Sequence, residues 1–96
     1  MSDAWKDSLT DNLCGAFAML STREEVYAFL EDVASISEIK SMAQRLEVAR
    51  LLNSGMKYPE TAKITGASTA TISRVKKCLE YGTGGYKSVL KESSNS

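Results

Sequence analysis

Apolar residues recur at three- and four-residue spacing along most of the chain, which is the spacing of one face of an α-helix. The pattern predicts a first helix over residues 2–20, in which Trp5, Leu9 and Leu13 share a face. β-Branched residues do not alternate over any long run, so strands are not expected. The predicted fold class is therefore all-α, with five or six helices.

Capping and stop signals divide this pattern into separate helices. In the segment STREE, Ser21 is followed three residues later by Glu24, which is the capping-box spacing that begins a helix. The segment SISE repeats the signal with Ser35 and predicts a long third helix up to the Asn-Ser-Gly stop at residues 53–55.

Three shorter helices are predicted after that stop. Pro59 suits the first turn of a fourth helix, because its missing N–H would have no partner there, and Gly66 ends this helix. Ser68 caps a fifth helix, which runs to about Tyr81. The last predicted helix covers residues 86–92.

No interdomain linker interrupts the pattern, so a single domain is predicted over residues 1–92. Within it, residues 1–56 are expected to form dimerisation helices and residues 57–81 a helix-turn-helix. The polar residues 93–96 are predicted to be a disordered tail.

The first and third helices carry more apolar surface than one chain can cover. On the first helix, Cys14, Phe17 and Met19 lie outside the main apolar stripe. Helices that are apolar on several sides need partners on several sides. The interpretation is an obligate homodimer with interlocked N-terminal helices; a compact monomer with a few exposed leucines is the alternative.

The formal net charge is zero, but the charges are unevenly placed. Residues 1–56 carry five Lys and Arg against nine Asp and Glu, whereas residues 57–77 carry five against one. A basic segment in an otherwise acidic chain indicates a polyanionic partner. A solvated lysine surface without a partner is the alternative.

The spacing around Gly66 predicts a helix-turn-helix, in which two helices cross steeply over a short turn that often contains glycine. Ala62 is small enough for the contact between the helices. Ile72 and Val75 would face the preceding helix and set the crossing angle. The turn then directs the fifth helix at double-stranded DNA.

The predicted DNA-binding residues are short, polar or cationic. Short side chains near a helix N-terminus can approach base edges, while Arg and Lys reach guanine or phosphate. Backbone amides at the start of the helix add donors for a phosphate. The set comprises Ser68, Thr69, Ala70 and Ser73 near the bases, Arg74, Lys76 and Lys77 for phosphate or guanine, and Lys57 and Lys63 as further backbone anchors.

Catalysis and cofactor or metal binding are not expected. The chain has no histidine, and its two cysteines suit a helical core better than a disulfide or metal site. The GTGG segment at residues 82–85 lacks the Lys-Ser/Thr of a phosphate loop and is interpreted as a helix stop. No apolar run is long enough for a membrane span and the N-terminus is acidic, so a cytoplasmic location is predicted.

The segment GASTATISR, residues 66–74, resembles the recognition region of the Trp repressor. The longer pattern from SEIKSMAQRLEVARLLNSG to CLEYGTGGY is similar to the YerC/YecD branch of that superfamily. The resemblance covers roughly residues 20–90. It implies an intertwined all-helical dimer that places two recognition helices in successive major grooves of a palindromic operator.

The same resemblance implies a possible effector pocket. Thr71 and Arg74 match family residues that contact bound tryptophan, whereas Gln44 stands where an arginine is expected, with Arg45 next to it. Two further pocket positions, a serine and a glycine in the family, are here Cys78 and Val75. In a Trp repressor that glycine leaves room for the indole ring, so tryptophan is not expected to bind here.

The function predicted from the sequence is a sequence-specific DNA-binding regulator, most simply a repressor, whose effector is unknown. The alternative is a helical dimer that uses its basic helix to bind an acidic protein partner. The two differ in their preference for one DNA sequence over random DNA at physiological salt.

Overall fold

The computed structural model describes the backbone of residues 3–94 and the side chains of residues 3–90. In this part of the chain it contains six α-helices and no strand. The helices are α1 (Ser8–Ala18), α2 (Arg23–Val33), α3 (Ile36–Asn53), α4 (Tyr58–Thr65), α5 (Thr69–Tyr81) and α6 (Gly85–Ser94). The predicted all-α fold class is confirmed.

The chain divides into two compact units, with the boundary between Ile36 and Ser37 at the start of α3. The N-terminal unit contains α1 and α2, and the C-terminal unit contains the rest of α3 and α4 to α6. The single domain over residues 1–92 stays a prediction.

Helix α1 is shorter than predicted, because Asp7 caps it. The Asp7 carboxylate accepts a 2.9 Å hydrogen bond from the amide of Thr10, whose hydroxyl accepts one of 2.9 Å from the amide of Asp7. The bonds from Thr10 hold the pKa of the Asp7 carboxyl below its ordinary value. Ser2, where the predicted helix begins, lies outside the described residues.

The predicted N-cap of α2 was wrong by one position. Its N-cap is Thr22 and not Ser21, and the reciprocal partner is Glu25 and not Glu24. The Glu25 carboxylate accepts from the amides of Ser21 at 2.7 Å and Thr22 at 3.2 Å. These main-chain donors, Ser21 first, lower the pKa of Glu25.

The N-terminal unit has almost no interior. No residue of α1 or α2 is buried. Phe17 and Phe29 hold the two helices together through an edge-to-face contact, with 5.0 Å between ring centroids. Large apolar side chains remain exposed, including Leu9 at 76% and Met19 at 81% of their surface. The apolar excess predicted for the first helix therefore lies on the surface of the single chain.

The core of the C-terminal unit joins α3, α5 and α6. It consists of Val48, Ala49, Leu52, Ala67, Ile72, Val75, Leu79 and Leu90. The α3 residues of this core come from the second half of the helix, and no residue of α3 before Val48 is buried. Burial of these side chains is the main force that fixes α5 against α3.

Helix α6 extends past both ends of the predicted helix over residues 86–92. It runs from Gly85 to Ser94, so residues 93 and 94, predicted to be in a disordered tail, have helical backbone. Leu90 anchors the helix in the core. The rest of the predicted tail, residues 95 and 96, lies outside the described residues. No helix in the described range combines the length and hydropathy that crossing a bilayer requires.

Candidate nucleic-acid interface

Helices α4 and α5 form a helix-turn-helix around the three residues Gly66, Ala67 and Ser68. Gly66 adopts φ 73°, a left-handed conformation that glycine reaches without steric cost, and its amide donates to the carbonyl of Ala62 at 2.8 Å. Ser68 then caps α5, because its hydroxyl accepts a 3.1 Å hydrogen bond from the amide of Thr71. Both the glycine turn and the serine cap were predicted correctly.

One face of α5 is buried and sets which residues point outward. Ile72 and Val75 are each 1% exposed and Leu79 is 8% exposed, as the spacing predicts. Ala62 of α4 packs against the same core. The opposite face of α5 is consequently held toward solvent in a fixed rotation about the helix axis.

The exposed face of α5 presents a row of short side chains followed by cations. Of the predicted DNA-binding residues in the turn and in α5, Lys76 is half-buried. The others are exposed: Ser68, Thr69, Ala70, Ser73, Arg74 and Lys77. The structure brings these residues together on one surface. Lys57 is the N-cap of α4 and Lys63 lies in its last turn, and both side chains are exposed.

The cations of α5 differ in their surroundings. The Lys76 ammonium lies 3.5 Å from a carboxylate oxygen of Glu80, one turn further along the helix. Within the described part of the chain, Arg74 and Lys77 have no carboxylate at ion-pair distance. Arg74 and Lys77 can therefore bind an external anion without first breaking an ion pair.

Four of the six predicted effector positions are engaged in interactions within the protein. Gln44 is bonded to the carbonyl of Thr65, and Arg45 donates to the hydroxyl of Ser41 at 3.0 Å. Thr71 is half-buried, and its hydroxyl accepts a 3.1 Å hydrogen bond from the hydroxyl of Ser68. Val75 is in the core, while the side chains of Arg74 and Cys78 are exposed. The core position expected for the two cysteines was wrong, because Cys14 is exposed as well.

A groove of about 520 Å³ lies beside these positions. Cys78 is the predicted effector residue that lines it; the other five do not. Its walls are formed by Leu46, Cys78, Gly82, Thr83, Gly84, Gly85, Tyr86 and Val89. The GTGG segment, interpreted from the sequence as a helix stop, therefore also forms part of a groove wall.

The match to the model of the Trp repressor protein family spans residues 8–94. The chain belongs to the Trp repressor family. This family is one of transcription regulators and not of enzymes, and its helix-turn-helix is a DNA-binding element.

Three proteins are similar to this Trp repressor family member over most of their length. The uncharacterized protein YerC of Bacillus subtilis (strain 168) is 51% identical over 80 residues, which cover 83% of this chain and 77% of YerC. The crystal structure of a TrpR-like protein from Eubacterium eligens ATCC 27750 matches with a TM-score of 0.90 at 42% identity, covering 97% of this chain and 96% of the other. A Staphylococcus aureus protein matches with a TM-score of 0.90 at 38% identity, covering 96% and 92%.

One contact in this Trp repressor family member is absent from the sequence-based expectations. Gln44 stands out in the sequence only as a departure from the arginine of the Trp repressor pattern. Nothing in the residues around it indicates a bond to Thr65, because that bond depends on where α4 ends in space. Hydrophobic periodicity locates Val75 but carries no information on the partner of a polar side chain.

Proposed function

We propose that this protein is a sequence-specific DNA-binding transcription regulator that reads its operator with α5. The observation that carries the proposal is the exposed row of short and cationic side chains on α5, above a face fixed by Ile72, Val75 and Leu79. Short side chains allow close approach to base edges in the major groove, and unpaired cations supply phosphate contacts. Such a protein works beside the chromosome, in the cytoplasm.

The acting species in this proposal is a homodimer. Two helices without a buried residue are not expected to persist in water unless their apolar faces are covered. A second copy supplies a surface of the same kind, as in the interlocked arrangement predicted from the sequence. A two-fold dimer presents two copies of α5, which would read half-sites about 34 Å apart, one turn of DNA, and this symmetry favours a palindromic operator.

Tryptophan is not the effector in this proposal. At the position where a Trp repressor has glycine, this chain has Val75, with 1% of its surface exposed. The Val75 side chain fills space that an indole ring would need, and the Gln44 amide is already bonded to Thr65. The reading helices are therefore in a DNA-competent arrangement without tryptophan, and any effector belongs to another class.

The test is a selection of genomic DNA fragments on the purified protein at about 150 mM salt, where non-specific electrostatic binding is weak. We expect a near-palindromic motif that is enriched equally with and without added tryptophan. Enrichment only with tryptophan would contradict the role given to Val75 while preserving the DNA-binding function. No motif under either condition would contradict the proposed function and favour the acidic-protein partner.

A further inference from the structure

The side chain of Gln44 connects α3 to the turn of the helix-turn-helix. Its Nε2 donates a 3.1 Å hydrogen bond to the backbone carbonyl oxygen of Thr65. The opposite amide orientation would place Oε1 against that carbonyl, with two acceptors facing each other, so only one orientation satisfies both groups. Gln44 is half-buried, where water competes less for the bond.

Thr65 is a fixed point of the turn rather than a mobile one. It is the last residue of α4, and its carbonyl is among the final helix carbonyls that lack a partner within the helix. Its hydroxyl donates to the carbonyl of Thr61 at 2.7 Å and accepts from the amide of Ala67 at 3.2 Å. Since Thr61 and Ala67 are buried, Gln44 holds a rigid part of the backbone.

The apolar core sets which face of α5 points outward, but it does not by itself fix the exact position of the start of the helix. Hydrophobic contacts hold the buried face of α5 against α3, and they are non-directional. A hydrogen bond has narrow distance and angle requirements. Ser68, which caps α5, follows Thr65 by three residues. Fixing the Thr65 carbonyl relative to α3 therefore fixes where α5 begins.

We propose that Gln44 is a positioning residue for DNA recognition, which orients α5 through its bond to Thr65 without touching DNA. This inference rests on the proposed function. Base contacts need accurate placement of the reading helix, whereas phosphate contacts through long cations are more tolerant. Loss of the bond should therefore reduce affinity for the operator more than affinity for random DNA.

The experiment compares two variants that remove the donor with a control on the same helix. Gln44→Met keeps the length of the side chain, and Gln44→Glu keeps its shape but faces the Thr65 carbonyl with an ionised carboxylate. The control is Ser41→Ala, which removes a local hydrogen bond to Arg45 with no change of charge. Affinity is measured for the selected operator and for random DNA of equal length at about 150 mM salt.

We expect both Gln44 variants to bind the operator about 3- to 10-fold more weakly, the range of one net hydrogen bond. Affinity for random DNA should stay within about twofold, since phosphate contacts supply most of it. The Ser41→Ala control should bind the operator and random DNA with the same affinities as the unchanged protein. Lowering the pH from about 8 to about 5.5 should restore operator affinity in part to Gln44→Glu, whose protonated carboxyl can donate, and not to Gln44→Met.

A second readout tests the bond without DNA. Amide hydrogen exchange of the free protein should be faster in the Gln44 variants at Gly66, Ala67 and Ser68, and unchanged at Val48 in the core.

Three results would overturn the positioning role. One is operator preference within twofold of the unchanged protein in both variants, and another is unchanged exchange in the turn. The third is an equal loss on both DNAs with a collapse of the melting temperature, which would mark a purely structural role. Absence of operator preference in the unchanged protein would instead overturn the proposed function, and this inference with it.

Discussion

Lys77 lies on the exposed face of α5, and its ammonium has no carboxylate at ion-pair distance in the described part of the chain. We expect Lys77→Ala to weaken binding to all DNA sequences alike and to lower the slope of log affinity against log salt by about one. Titrations of one operator and one random duplex at four salt concentrations would measure this slope. An unchanged slope would contradict a phosphate contact by Lys77.

Ser73 lies on the same exposed face but has a short neutral side chain, so its replacement should act differently. Ser73→Ala is expected to leave the salt slope unchanged and to alter base preference at particular operator positions, by about 0.5–1.5 kcal/mol for one lost hydrogen bond. Repeating the fragment selection with this variant would measure the change. An identical motif would place Ser73 outside the base-reading surface.

At the scale of residues, the sequence predicts what periodicity controls and misses what geometry controls. Ile72, Val75 and Leu79 follow from helical spacing, because a buried stripe must repeat with the helix turn. The bond from Gln44 to Thr65 depends on the approach of two elements, and no local pattern encodes it. The Lys76–Glu80 pair has the common four-residue spacing, but only the structure distinguishes Lys76 from Lys77.

At the scale of elements, the start of α2 depends on one carboxylate. Glu25 accepts from the amides of Ser21 and Thr22, and these bonds lower its pKa from the ordinary value of 4.5. A lowered pKa in the folded state means that the ionised form stabilises the fold above about pH 4.5. That stabilisation is lost as the pH falls through the folded-state value.

Glu25→Gln should therefore lower the melting temperature at pH 7 and have a smaller effect at pH 3, which lies below the ordinary pKa of 4.5 and where part of the stabilisation by the ionised carboxylate is lost. Circular dichroism melts of both proteins at the two pH values measure the difference. The matched control is Glu24→Gln, because the Glu24 carboxylate is in the same helix turn but not in the capping box. An equal difference at both pH values would contradict the role of the Glu25 charge.

The boundaries of α2 also explain why the sequence predicts helices better than their first residues. The segment STREE contains two overlapping capping boxes, one from Ser21 to Glu24 and one from Thr22 to Glu25. Both satisfy the spacing rule. In the structure the second prevails, because the Glu25 carboxylate reaches two main-chain amides at once. Gly66 has no such competitor, so the end of α4 was predicted to the residue.

At the scale of the whole molecule, the exposed apolar side chains of α1 make dimerisation testable, because the cost of replacing one of them depends on whether a second copy covers it. In a lone chain, Leu9 is 76% exposed, and Leu9→Ser should be nearly neutral. If a second copy covers Leu9, the same change removes burial worth about 1.5–3 kcal/mol. We expect Leu9→Ser to weaken the dimer, measured by sedimentation equilibrium, and the melting temperature of the unchanged protein to rise with its concentration.

Asp11→Asn is the control for this prediction, because it alters an exposed polar position on the other side of α1. It should keep the concentration dependence of the unchanged protein. A melting temperature that is independent of concentration, together with a neutral Leu9→Ser, would contradict the homodimer.

No residue of α1 or α2 is buried within the single chain, and this bears on whether a mutation is dominant or recessive. If each chain completes the fold of its partner, a chain with intact α1 and α2 but a damaged α5 still enters dimers. When damaged and intact chains are equally abundant and pair at random, only about one dimer in four carries two working reading helices. Defects in α5 should therefore act dominantly in a cell with both gene copies, whereas defects that prevent α1 from pairing should be recessive.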